Sequence, residues 1–125
     1  MTLEALWFEE AAMEQDDKQF VNIIDIDDSN FQETISEGVV LIDVYADWCT
    51  KCKIFIPSLF RLHDKYWDKI TICKLNADDA PNTIAQMGIK SLPAAFVYVQ
   101  GELKHTFIDG QVNEQAIDDV LRAYN

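Results

Sequence analysis

The sequence predicts an α/β fold with a mixed central β-sheet flanked by helices on both faces. Three observations carry that expectation. Short β-branched runs alternate with stretches of helical periodicity, the pattern of β-α-β units. One run, Val39 to Ala46 (VVLIDVYA), is nearly all apolar, which suits a central strand buried on both faces. Towards the C-terminus two strand-like runs meet across Gln100-Gly101-Glu102, the spacing of an antiparallel hairpin.

Taken in order, residues 1–20 carry Leu3, Leu6, Trp7 and Ala11 near helical spacing with acids between them, and read as a short amphipathic helix or an arm. Val21 to Ile26 is the first strand. Asp28-Ser29-Asn30 supplies a helix start, with Ser29 and Gln32 in capping-box spacing, and Gly38 ends that helix. After the Val39–Ala46 strand, a helix follows Cys49 and extends to Trp67, with Ile54, Leu59, Leu62 and Tyr66 at helical spacing. Pro57 lies inside it, removes one backbone donor and is expected to kink it. Ile70 to Leu75 is a strand. Asp78 to Met87 holds a short helix with Pro81 in its first turn and Gly88 at its end. Ala94–Val99 and Leu103–Ile108 form the hairpin. Asn113 to Tyr124 is a final amphipathic helix with Ala116, Ile117, Val120 and Leu121 inward.

At 125 residues the chain fits one compact domain, residues 21–125, preceded by the 1–20 extension. Apolar residues are 49% of it, enough to fill a core. The formal net charge of -12 repels phosphate backbones and anionic headgroups, so neither nucleic acid nor a membrane surface is expected as a partner. No stretch reaches the ~20 apolar residues that span a bilayer. Glu4, Glu9 and Glu10, with no early Lys or Arg, do not match a secretory leader, so a cytoplasmic location is expected.

The three cysteines are Cys49, Cys52 and Cys73, an odd and small number for a disulfide scaffold. Cys49 falls between a buried strand and a helix, where the first backbone N–H groups have no internal partner. Those groups and the helix dipole favour an anion, so the Cys49 thiol is expected well below the ordinary ~8.5, in the range of roughly 3.5–7.5 seen at such positions. The three-residue offset puts Cys52 one turn behind on the same side, within disulfide reach. Cys49 would attack a partner disulfide, and the more shielded Cys52 would resolve the mixed disulfide. The competing reading, half of a zinc site, needs two more ligands in paired spacing; Cys73, His63 and His105 remain, and none is paired. Asp43 stands in an apolar strand, so burial should raise its pKa. Cys73 alternates with Lys74 along its strand and reads as a buried structural thiol on the opposite face. His63 and His105 read as surface residues.

The segment from Asp43 to Lys53 (DVYADWCTKCK) resembles the active-site strand and turn of the thioredoxin family, and the resemblance runs from residue 21 to residue 125. Pro57 is similar to that family's helix proline, Gly88 to Pro93 (GIKSLP) to its cis-proline loop, Gly101 to its hairpin glycine, and Gly110 to the glycine bordering its substrate groove. The resemblance implies a thioredoxin fold and a thiol–disulfide oxidoreductase that reduces protein disulfides, with no cofactor beyond the Cys49–Cys52 disulfide and no metal. It implies a cis Leu92–Pro93 bond packed against the cysteines, with the Leu92 backbone free to pair with an extended client. It implies that Asp43 moves protons for Cys52, with Lys74 as its neighbour, and that Trp48 is a lid beside Cys49. The implied partners are protein disulfides and a reductant similar to thioredoxin reductase, with the chain acting as a monomer.

Five residues depart from the family pattern. Thr50 and Lys51 replace the usual Gly-Pro between the cysteines. A cation at Lys51 would favour the thiolate and give a couple more oxidising than typical thioredoxin. Tyr45 stands where tryptophan is common and Ala94 where threonine is common. Asp109 adds an acid beside the groove. The Tyr45, Ala94 and Asp109 changes are expected to weaken docking of the family's usual reductase. The competing readings are a carrier dedicated to one client and a binding module of thioredoxin fold whose cysteines are incidental, against which the intact Cys49, Cys52, Asp43 and Pro93 stand.

Overall fold

The computed structural model describes residues 23–125. The 1–20 extension, and Val21 and Asn22 of the first strand, lie outside the described residues. The elements run β1 (Ile23–Ile26), α1 (Phe31–Ile35), β2 (Val39–Tyr45), α2 (Thr50–Tyr66), β3 (Thr71–Asn76), α3 (Pro81–Met87), β4 (Ala94–Val99), β5 (Glu102–Ile108) and α4 (Glu114–Arg122). Single 3-10 turns occupy Ala77–Asp79 and Asp109–Gln111. The β-α-β-α-β-α-β-β-α order is the one the alternating periodicities predict.

The strands make one five-stranded sheet in the spatial order β1-β3-β2-β4-β5. β3 pairs parallel with both β1 and β2, while β4 runs antiparallel to β2 and to β5. The apolar run therefore lies in the middle of the sheet, where both its faces are covered. Because strand side chains alternate, Leu41 joins one core and Val40, Ile42 and Val44 the other. The first core fills the space under α2 and α4 with Phe55, Leu59, Leu62, Tyr66, Ile117 and Leu121. The second lies under α1 and α3 and holds Phe31, Ile35, Cys73, Leu75 and Phe96. Leu121 is fully buried in the first core. Leu121→Ala is expected to cost about 2–5 kcal/mol, read as a lower denaturation midpoint with an unchanged slope.

Local chemistry explains most boundaries. Gln100 and Gly101 both have positive φ, 51° and 85°, as a two-residue type I′ hairpin turn demands. Gly88 closes α3 in the left-handed region at φ 70°. Asn113 caps α4 by accepting the Ala116 N–H at 2.9 Å. α2 runs through Pro57 as one helix of 17 residues.

Three expectations fail. The Ser29–Gln32 capping box does not form; Ser29 donates its N–H and hydroxyl to Asp27, and Asn30, at the cap position, makes no side-chain cap bond. Asp28 instead caps a different helix: its carboxylate accepts the N–H groups of Asn82 and Thr83 and the Thr83 hydroxyl, tying α3 to the β1–α1 loop. Ile54, expected inward, is 71% exposed; the buried stripe of α2 is Cys52, Phe55, Leu59, Leu62, His63 and Tyr66. His63 is therefore a buried residue, not a surface one. Neither of its ring nitrogens has a hydrogen-bond partner among the described residues, and burial holds its pKa below the ordinary value against the opposing charge of Asp64. His105 is half-buried, with Nε2 3.3 Å from the Tyr124 hydroxyl.

Candidate active site

β2 ends at Tyr45, and the chain turns at once, the Cys49 N–H donating to the Ala46 carbonyl at 3.1 Å. Cys49 is then extended (φ −96°, ψ 106°) and forms the N-cap of α2. Its side chain accepts the Cys52 backbone N–H, which lies 3.2 Å from Sγ. A sulfur in that place takes one of the helix's orphan donors, and an anionic sulfur takes it more strongly. Cys49 and Cys52 are joined as a disulfide with Cα atoms 5.3 Å apart. Cys49 is 7% exposed and Cys52 only 1%, so Cys49 is the less deeply buried of the two. Cys73 is buried in the core under α1 and α3, and burial pushes its thiol up to about 12. Among the described residues no group of three or more His, Cys, Asp or Glu side chains is placed to hold a metal ion, and no helix is long and apolar enough to cross a membrane.

Leu92 and Pro93 come to the cysteines from the loop before β4. Their peptide bond is cis, and Leu92 packs with Tyr45 against Ala46, Cys49 and Cys52. Leu92 stands outside the sheet ladder, which begins at Ala94. Beside this loop a groove of about 340 Å³ is lined by Lys51, Ile54, Phe55, Pro93, Gly110 and Val112, among others. Gly110 borders it, but the residue with left-handed backbone is Asp109, at φ 55°. The Asp109 N–H donates to the Pro93 carbonyl at 2.9 Å. Its carboxylate lies 3.2 Å from Lys51 Nζ. Trp48 is 70% exposed beside Cys49, and its indole N–H donates to Asp78 at 3.1 Å. Lys51 is thus not the free cation that its place between the cysteines suggests.

Asp43 shares the sheet face of Leu41, beneath α2. It is 2% exposed, and its Oδ1 has no hydrogen-bond partner among the described residues. Burial pushes its carboxyl up from 3.8 to about 7, with Lys74 opposing. Lys74 is the register partner of Asp43 on β3, and its Nζ lies 3.5 Å from Asp25 on the other side. A cavity of about 250 Å³, lined by Asp43, Tyr45, Ile56, Leu59, Phe60 and Lys74, opens next to the buried acid.

A cysteine pair one turn apart at a helix N-terminus forms and breaks a disulfide without moving the backbone. The fold and the paired sulfurs suit thiol–disulfide exchange. The chain belongs to the thioredoxin family, whose family model, described as Thioredoxin, matches residues 22–123. It is 35% identical over 102 residues to the chloroplastic thioredoxin M-type of Spinacia oleracea, covering 80% of this chain and 56% of that protein. With the thioredoxin of Staphylococcus haemolyticus it is 41% identical over 80 residues, covering 64% of this chain and 77% of that protein. With the chloroplastic thioredoxin M5 of Oryza sativa subsp. japonica it shares 32% over 112 residues, 85% of this chain and 64% of that protein. The chain spans less than two thirds of the length of the two chloroplastic relatives.

Proposed function

We propose that this protein reduces protein disulfides by dithiol–disulfide exchange through Cys49 and Cys52. The observation that carries the reading is the Cys52 N–H donated to Cys49 Sγ at the cap of α2. In the reduced protein the Cys49 thiolate attacks one sulfur of a client disulfide. That S–S bond breaks, a mixed disulfide forms, and the departing client thiolate takes a proton. Cys52 then gives its proton to Asp43 and attacks Cys49, so the second client sulfur leaves as a thiol and the Cys49–Cys52 bond closes. Two electrons have passed to the client, and a dithiol reductant similar to thioredoxin reductase restores them.

The proton role of Asp43 draws support from its burial, its unpartnered Oδ1 and a pKa near the working range of an acid–base group. Lys74 serves as the charge beside it. Leu92 and Pro93 offer backbone and surface to an extended client segment, with Trp48 and Gly110 at the rim. The chain acts as a monomer without a further cofactor. Its proposed compartment is the cytoplasm, where thiols are kept reduced and a dithiol reductant can recharge the pair, and fractionation of the source cells tests it.

The decisive assay is insulin reduction driven by dithiothreitol. Catalytic amounts of the protein should bring precipitation of the insulin B chain well ahead of dithiothreitol alone. Equal onset times would leave a binding module as the better reading.

A further inference from the structure

We infer that Asp109 is a positioning residue for the redox step, holding the Lys51 ammonium across the groove and so making the Cys49–Cys52 couple less oxidising than Lys51 alone would make it. The inference rests on the dithiol exchange proposed above. Lys51 is two residues beyond Cys49, in the first turn of α2, where a cation favours the thiolate. A favoured thiolate stabilises the reduced form and raises the potential. Asp109 is 58 positions away in the chain, yet its carboxylate is 3.2 Å from Lys51 Nζ. It is also anchored, because its own N–H is bonded to the Pro93 carbonyl. The pair thus links the helix that carries the cysteines to the loop that faces them, over a groove both residues line.

The backbone sharpens the point. At φ 55° this position favours glycine, and an aspartate there is tolerated rather than preferred. Among the described residues the Asp109 carboxylate bonds to Lys51. The signs then follow: with Asp109 present the ammonium is compensated, so the thiolate gains less from it.

Both side chains are more than half exposed, at 71% and 54%, so the effect is modest and salt-sensitive. The test compares wild type, Asp109→Asn, Asp109→Gly, Lys51→Gln and the Lys51→Gln/Asp109→Asn double variant. Asn and Gly both tolerate left-handed backbone, so either one keeps the test alive if the other misfolds. The readouts are the glutathione redox equilibrium and the thiolate absorbance of Cys49 against pH. Both single changes at Asp109 are expected to shift the equilibrium towards the reduced form by about two- to fivefold at low salt, and to lower the pH at which the thiolate appears. Lys51→Gln should shift both the other way. The Asp109→Asn shift should shrink when Lys51 is absent, and all shifts should shrink at about 1 M salt.

An unchanged equilibrium in both Asp109 variants would overturn the inference. So would a shift of equal size with and without Lys51, since Asp109 would then act directly and not through the lysine. Insulin reduction by the wild type is scored separately. If it fails while the equilibria still shift, the activity reading falls and the electrostatic one stands.

Discussion

Cys49→Ser is expected to lower dithiothreitol-driven insulin reduction by at least about 100-fold, to the uncatalysed background. The hydroxyl that replaces the sulfur cannot become an anion near neutral pH, whatever the helix offers it, so the first attack is lost. Cys52→Ser behaves differently. Its Cys49 still takes the Cys52-position N–H and still attacks, but nothing closes the ring. The variant should accumulate as a covalent complex with its client, visible on a non-reducing gel and released by dithiothreitol. Because Cys52 is nearly sealed from solvent, it is a poor first nucleophile, and the two variants should not be interchangeable. Full turnover in both would remove the cysteines from the chemistry altogether.

Asp43→Ala is expected to make the protein more stable at pH 8, by about 2–4 kcal/mol, while slowing resolution of the mixed disulfide. The folded-state pKa is raised to about 7 from an ordinary 3.8 by burial, so between those two values the native protein holds a proton that the unfolded chain has released. Stability in the wild type should therefore be greatest, for this group, below pH 3.8, fall as pH rises towards about 7, and level off above it. Alanine removes the buried charge, so denaturation midpoints of the two proteins should diverge across that window and nearly coincide at its acid end. The kinetic signature runs with it: decay of the mixed disulfide should lose its pH dependence near 7 in the variant. A stability difference that did not vary with pH would mean that Asp43 is not the proton holder.

Both predictions draw on residues whose place was legible in the chain. β2 was readable because an uninterrupted apolar run has few homes other than the middle of a sheet, and a single acid within it had to be buried. Cys49 was readable because strand, turn and helix follow one another within a few residues, and an N-cap is a local property. The hairpin at Gln100-Gly101 and the stop at Gly88 are local in the same way, each set by backbone that one or two residues must adopt. The cis state of Leu92–Pro93 was not a matter of local chemistry; the likeness to a known family supplied it.

Ser29 and Gln32 had the right spacing for a box, but Asp27 was the nearer acceptor for Ser29, and Asp28 reached across to α3. His63 looked polar and therefore exposed, yet it stands on the buried side of α2, whose inward stripe also takes in Phe55 and leaves Ile54 to solvent.

Local sequence was enough to specify the order of elements, the dithiol at a helix cap and the acid under it, since each depends on neighbours within about a turn or on a strand's alternating faces. Only folding brings Asp109 to Lys51 and to Pro93, and Lys74 between Asp43 and Asp25. Those pairings set the charge around the sulfurs, and charge acts through space between groups that the chain keeps far apart.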